Sequence, residues 1–220
     1  MIPMLLWRCP LCATNDALVH VERRFRADWV YCRHCGAEWR LRRVPGDNFY
    51  LKLVGQDSIL PNEERSVTEW YDRMKATVRL EPLHDPTVAL KKGETLYLAS
   101  GAAELIAEES DPLFFPVPPG GDATRRDKRE VGGKMAGRGR LFLTNRRLIW
   151  QSGGRSWSWP LARLNSAYAF VDYGVMFLIE MRLYMAHFLE ESLLKWVTYL
   201  ALVAPLVEAE TGHRIVTSHF

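Results

Sequence analysis

Alternating apolar and polar positions run through most of the second half of the chain. From Leu141 to Gln151 the alternation continues on both sides of Asn145 and Arg146, which predicts a β-hairpin. Further short strands are predicted at 95–108, 157–159, 167–171 and 175–187. Apolar residues then recur at helical spacing and predict one amphipathic helix: Leu189, Leu193, Trp196, Val197, Leu200 and Val203. The pattern therefore predicts a mainly β domain closed by a helix.

The first half of the chain predicts smaller elements. Short strands are predicted at 18–21, at 25–31 and around Trp39 and Leu41. A helix is predicted from Pro61 to about Arg79, because Val67, Trp70 and Met74 fall on one helical face.

Composition places the chain among globular proteins, with 48% hydrophobic and 25% charged residues. We find no signal peptide and no apolar run of about 18 residues, so we expect a soluble, cytoplasmic protein. The net charge of +3 conceals strong segregation. Residues 119–147 carry nine basic residues against three acidic ones, which marks this stretch as a candidate anion-binding region.

All four cysteines stand in two Cys-x-x-Cys pairs, Cys9 with Cys12 and Cys32 with Cys35. Four thiolates complete the tetrahedral coordination that a structural Zn²⁺ prefers. Because no cysteine is left over and no ligand position is open to water, we expect one structural zinc ion. Gly36 follows the fourth cysteine, where the turn favours a positive φ.

This layout, with Gly36 and Trp39 after the second pair, resembles the zinc ribbon over about 35 residues. The resemblance implies a metal-bound module and leaves function open, since ribbons bind nucleic acid, bind protein or only stabilise a fold. His34 is expected to face solvent, and a hydrogen bond to a thiolate is the alternative.

A basic insertion rich in glycine and proline is predicted at 110–138. Its basic residues are candidates for contact with an anionic lipid surface, where each is worth about 1 kcal/mol: Arg125, Arg126, Lys128, Arg129, Lys134 and Arg138. Arg140 continues this basic run. A solvated loop is the alternative reading of the same composition.

The segment from Gly139 to Trp150, G-R-L-F-L-T-N-R-R-L-I-W, resembles the core hairpin of GRAM and bacterial PH-like domains. The motif at 92–94, the segment 159–164 and Trp196 extend this resemblance over about 86–210. It implies a split barrel of two antiparallel sheets capped by a C-terminal helix. Such domains bind lipid headgroups, peptides or ubiquitin and are rarely catalytic, although a fold alone does not define function.

A PH-like domain beside a zinc finger is also similar to the GLUE domain of the ESCRT-II complex, which implies phosphoinositide and ubiquitin binding. Trp7 before the first cysteine resembles the start of a ubiquitin-binding NZF finger. The chain departs from that finger in the 19 residues between Cys12 and Cys32, and in Ala13 and Thr14 after the second cysteine.

We therefore predict an α+β, mainly β protein with a zinc ribbon at 1–45, a helical connector at 46–86 and a PH/GRAM-like domain at 87–212. The expected function is that of a non-enzymatic adaptor. It would bind a protein partner, ubiquitin-like proteins included, or an anionic membrane surface as a peripheral protein, with the ribbon as a second contact. No small-molecule substrate is expected, because the chain has no recognised catalytic motif.

The alternative function is nucleic-acid binding through the ribbon. Arginines there are interleaved with aromatic residues, which is the composition that single-stranded nucleic acid favours. The candidate residues are Arg23, Arg24 and Arg26.

Overall fold

The computed structural model describes residues 2–24, 27–45, 48–54, 63–107, 134–170 and 173–219. The chain forms two compact units, Met1–Arg79 and Leu80–Phe220. The described residues are mainly β, which confirms the predicted class.

The first unit contains a five-stranded antiparallel sheet whose strands follow chain order. Its strands are β1 (Leu18–Val21), β2 (Trp29–Cys32), β3 (Glu38–Val44), β4 (Asn48–Val54) and β5 (Glu64–Ser66), and its helices are α1 (Ile2–Leu5) and α2 (Val67–Ala76). The strand β4 lies within the predicted connector but pairs with β3, so these residues are part of the first sheet.

One face of this sheet is buried. Trp39 of β3 and Leu51 of β4 lie on it, as period-two alternation predicts. Helix α2 covers the face with Trp70, whose indole nitrogen donates to the Leu51 carbonyl at 2.9 Å. The Trp39 and Trp70 rings pack edge to face with centroids 5.9 Å apart, a favourable aromatic geometry.

Helix α2 begins later than predicted. Ser66 and Glu69 form a capping box, in which the Ser66 hydroxyl accepts from the Glu69 amide and the Glu69 carboxylate accepts from the Ser66 amide. The residues just before the cap pair with β4, so the helix starts at Val67 and not at Pro61.

The second unit holds nine strands and one long helix among its described residues. They are β6 (Leu96–Ala99), β7 (Ala103–Ala107), β8 (Lys134–Thr144), β9 (Arg147–Ser152), β10 (Arg155–Pro160), β11 (Leu164–Phe170), β12 (Gly174–Ile179), β13 (Arg182–Phe188), α3 (Leu193–Thr211) and β14 (Val216–His219). The predicted hairpin is confirmed as β8 and β9.

The strand order is β10-β9-β8-β7-β13-β12-β11-β14. Strand β6 pairs with the C-terminal part of β8, beyond the residues of β8 that pair with β7. Neighbours are antiparallel, except that β14 runs parallel to β11. Strands β10 and β14 end the order, so the described strands do not close into a barrel. The split barrel that the resemblance implies therefore stays a prediction.

Helix α3 packs on the sheet through Trp196, which is fully buried and stacks on Phe188 with ring centroids 4.9 Å apart. The helix starts at Leu193, so Leu189 precedes it, contrary to the predicted pattern. No helix in the described part of the chain is both long and apolar enough to cross a membrane.

The predicted insertion is shorter than 110–138, because Lys134 to Arg138 are part of β8 and pair with β7. The segment 108–133 lies outside the described residues. It contains four of the six lipid-binding candidates: Arg125, Arg126, Lys128 and Arg129.

Candidate metal centre and charged clusters

Two copies of one turn bring the cysteines together. The Ala13 amide donates to the Cys9 carbonyl at 2.9 Å, and the Gly36 amide donates to the Cys32 carbonyl at 3.0 Å. Gly36 has the predicted positive φ of 71°, and Ala13 adopts a similar φ of 57°. The conformation of Ala13 was not predicted, because alanine rarely occupies the left-handed region.

The sulfur positions fit a metal ion. Cys9 Sγ lies 3.8 Å from Cys35 Sγ, Cys12 Sγ lies 3.7 Å from Cys32 Sγ, and all four lie within 4.8 Å of one another. Tetrahedral Zn–S bonds of about 2.3 Å separate the sulfurs by about 3.8 Å. A disulfide needs about 2 Å. The predicted four-cysteine cluster is therefore present, and it could hold one Zn²⁺ ion.

The four thiols differ in their environment. Burial raises the pKa of Cys9. Burial also opposes ionisation of Cys12, but hydrogen bonds with Thr14 and with the His34 side chain outweigh it and lower the pKa of Cys12 to about 6. The hydrogen bonds to Cys12 therefore favour its thiolate form, which is the form that binds a metal cation. His34 is solvent-exposed, as predicted, and still contributes to this interaction.

The cluster connects two parts of the first unit. Cys9 belongs to the segment that follows α1, and Cys32 is the last residue of β2; both are buried. Cys35 is exposed, so the site lies at the surface of the unit. With four sulfur ligands and no open position, a bound zinc ion would cross-link the chain and would not activate water.

In the second unit, the motif residues Thr144 and Arg147 surround a buried carboxylate. Arg147 donates to both oxygens of Glu94, with Nε–Oε1 at 2.7 Å and Nη2–Oε2 at 2.9 Å. The Thr144 hydroxyl and the Lys91 amide donate to the same carboxylate, each at 2.8 Å. Burial alone would raise the pKa of Glu94, but these four bonds outweigh it and lower the pKa. Thr144 and Arg147 of this hairpin therefore have a structural role, which is to hold the Glu94 carboxylate.

Arg140, at the end of the basic run, has a similar structural role. Its Nη2 lies 2.8 Å from Asp85 Oδ2, and its Nε donates to the Ser100 carbonyl at 2.9 Å. Hydrogen bonds from Thr87, reinforced by Arg140, lower the pKa of Asp85 to about 2. Arg140 therefore holds the 85–87 segment against β8.

The two remaining lipid-binding candidates, Lys134 and Arg138, both fall on β8. Arg138 is exposed, but its Nε is 3.0 Å from the Glu104 carboxylate, so its charge is paired within the sheet.

One end of the second sheet gathers exposed apolar and basic side chains that the sequence patterns did not single out together. The β9–β10 turn, the β12–β13 turn, the last residue of β7 and the first residue of β8 lie at this end, because neighbouring strands are antiparallel. Met181, in the β12–β13 turn, is 61% exposed, and Trp157 of β10 is 39% exposed. Arg155 and Arg182 flank them and are exposed.

Trp157 and Trp159 stand two residues apart on β10, so they lie on one face of the strand. The environments of the two indole rings differ. Trp159 packs against Tyr184 of β13 at a centroid distance of 4.9 Å, whereas Trp157, two residues nearer the turn, is partly in solvent. Arg182 likewise lies two residues before Tyr184 on β13. Trp157 and Arg182 are therefore both two residues from the Trp159–Tyr184 contact, and both lie on the side nearer this end of the sheet.

The arginines of the first unit lie over aromatic rings. Arg23 and Arg40 each place a guanidinium 5.2 Å from the Trp29 ring centroid, and Arg42 lies 5.3 Å from Tyr50. Of the three nucleic-acid candidates, Arg23 has this contact and Arg24 is exposed. Arg26 lies outside the described residues.

No family model, curated protein or solved structure shows a significant match to this chain.

Proposed function

We propose that this chain is a non-enzymatic recognition protein whose second unit is a PH/GRAM-like domain that binds an anionic membrane surface. The zinc-bound first unit would supply a second contact surface. Two antiparallel meanders, β7 to β10 and β11 to β13, joined by the pairing of β7 with β13 and followed by α3, agree with the helix-capped sheets that the resemblance implies. The buried Glu94, Thr144 and Arg147 cluster explains the hairpin motif on which that resemblance rests.

The observation that carries the membrane proposal is the exposed end of the second sheet. Single exposed apolar side chains are common, but here Trp157 and Met181 occur together with Arg155 and Arg182. Tryptophan is favoured at the membrane–water interface, and basic residues are attracted by anionic headgroups. Ala107 and Lys134, which pair with each other, are also at this end, and the stretch of sequence between them carries further basic residues.

The test is sedimentation of the full chain with phosphatidylcholine vesicles that contain or lack phosphatidylserine, at low and high salt. We expect binding only to the anionic vesicles, and weaker binding at high salt because salt screens the charges. Replacing Arg125, Arg126, Lys128 and Arg129 with alanine should weaken binding by at least about tenfold. A Trp157→Ser/Met181→Ser variant should also bind more weakly.

The matched control is an Arg40→Ala/Lys52→Ala variant, which removes two positive charges from the first unit. It should bind vesicles as the wild type does. Absence of binding to anionic vesicles, or full binding by both second-unit variants, would refute the membrane proposal.

A further inference from the structure

The face of the first sheet opposite Trp39 carries a row of aromatic and basic side chains. Trp29 of β2, Arg40 of β3 and Lys52 of β4 lie directly beside one another in the strand register. Tyr50 lies next to this row on β4, and Tyr31 lies next to it on β2. We call this surface, formed by Tyr31, Trp29, Arg40, Tyr50 and Lys52, the outer face.

The centre of the outer face is positively charged. Within the described residues, Arg40 and Lys52 have no carboxylate within ion-pair distance. Glu64 lies opposite Lys52 on β5, but its carboxylate accepts from Arg42 Nε at 2.7 Å. Glu38 lies on the same face, directly opposite Tyr31 and two residues from Arg40 along β3, and it forms no ion pair with Arg40 among the described residues. The outer face therefore presents two cations beside exposed aromatic surface.

The aromatic rings of the outer face are only partly exposed. The Arg23 and Arg40 guanidinium groups each lie 5.2 Å from the Trp29 ring centroid, so the ring and these groups together form a surface on which bases can stack, and Trp29 offers no side chain for insertion into lipid. Unpaired bases stack on aromatic rings and on arginine planes, whereas the bases of a duplex are already stacked on one another. Arg40 lies beside Trp29 and Lys52 lies beside Arg40, so the two cations extend from the ring across β3 and β4, where phosphates of a bound strand would pass.

We propose that the outer face binds single-stranded nucleic acid, with bases stacked on Trp29 and the tyrosines and with phosphates on Arg40 and Lys52. This site differs from the one predicted at Arg23, Arg24 and Arg26, because it is centred on strands β2 to β4 and not on the segment between β1 and β2. It does not depend on membrane binding by the second unit.

The test is fluorescence anisotropy of labelled oligothymidylate and oligouridylate with the zinc-loaded full chain over a range of salt concentrations. We expect binding of at least one oligonucleotide, with affinity that falls as salt rises. An Arg40→Ala/Lys52→Ala variant should reduce the slope of log affinity against log salt by about 1.4, since each phosphate contact contributes about 0.7.

A Trp29→Leu variant tests stacking separately from charge. It keeps an apolar side chain, so the fold can be checked by zinc content, and it should lower affinity by about tenfold while leaving the salt slope unchanged. The matched control is Arg155→Ala/Arg182→Ala, which removes two exposed positive charges from the second unit and should bind as the wild type does.

Three results would overturn the proposal. One is a salt slope that is unchanged in Arg40→Ala/Lys52→Ala. Another is an equal loss of affinity in Arg155→Ala/Arg182→Ala, which would place the binding on the second unit. The third is tighter binding of a duplex of the same length.

Discussion

Ala13 and Gly36 occupy equivalent places in the two metal-binding turns, but only glycine suits the conformation. A left-handed conformation costs an L-residue about 1–2 kcal/mol, partly offset in Ala13→Gly by the greater freedom of glycine in the unfolded chain. We expect Ala13→Gly to raise the free energy of unfolding by about 0.5 kcal/mol and Gly36→Ala to lower it by about 1 kcal/mol. No atom lies within 4 Å of a Cβ added at Gly36, so the cost of Gly36→Ala would come only from the backbone conformation.

Urea unfolding followed by zinc release to a chromogenic chelator would measure both variants and would report on the first unit alone. Changes of the same sign in the two variants would contradict this account of the turns.

The buried ion pair between Glu94 and Arg147 makes a second prediction at the scale of residues. Glu94→Gln leaves the Arg147 guanidinium, only 15% exposed, without its counter-ion, and Arg147→Met leaves a buried carboxylate. Each change should lower the free energy of unfolding by about 3 kcal/mol. The double variant should lose much less than the sum of the two, because it leaves no uncompensated charge. An additive double-mutant cycle would show that the pair is not coupled.

The lowered pKa of Glu94 also predicts a pH dependence. Because the folded-state pKa lies below the ordinary value of 4.5, ionised Glu94 stabilises the fold above about pH 4.5. This stabilisation is lost as pH falls through the folded-state pKa. Glu94→Gln should therefore lose stability less steeply than the wild type on acidification below pH 4.5, as measured by urea unfolding at several pH values. Parallel pH profiles would contradict the prediction.

At the scale of elements, the structures that the sequence predicted correctly are those formed by residues close together in the chain. The β8–β9 hairpin and the metal-binding turns follow from alternation and from cysteine spacing. Strand β4 is absent from the predicted elements although Leu51 and Leu53 alternate with Tyr50 and Lys52, because the turn that precedes it has the composition of a linker between domains. Pairing between distant segments has no local signal, so the parallel partner of β11 at 216–219 could not be predicted.

The start of α2 gives a prediction at the same scale. Ser66→Ala removes the hydroxyl that accepts from the Glu69 amide and should lower the free energy of unfolding by about 1 kcal/mol. Thr68→Ala, at the exposed second residue of the helix, is the control and should be neutral or slightly stabilising, because alanine favours helix. Equal effects in urea unfolding would mean that the cap does not determine where the helix begins.

At the scale of the molecule, each unit has its own sheet and its own buried residues. The sequence predicted two modules, but it placed the end of the first module at the start of a connector. The reason is that the turn at 45–48 resembles the end of a domain more than a turn between two paired strands. The candidate metal site could be predicted completely, since two Cys-x-x-Cys pairs define it. The exposed end of the second sheet could not, because exposure at Trp157 and Met181 depends on how distant strands pair.

Metal removal should therefore affect the two units differently. In the first unit the cysteine cluster connects the N-terminal segment to β2, and zinc binding to such small modules is worth about 10–16 kcal/mol. The second unit contains none of the four cysteines, and its core around Trp150 and Trp196 is complete without them.

We expect one zinc ion per chain by elemental analysis. After chelation, hydrogen exchange measured by mass spectrometry should show lost protection at 9–14 and 29–37 and retained protection in β8, β9 and α3. A Cys32→Ser variant with zinc present should give the same profile. Equal loss of protection in both units would mean that they fold as one, and no loss in either would mean that the cysteine cluster does not stabilise the fold.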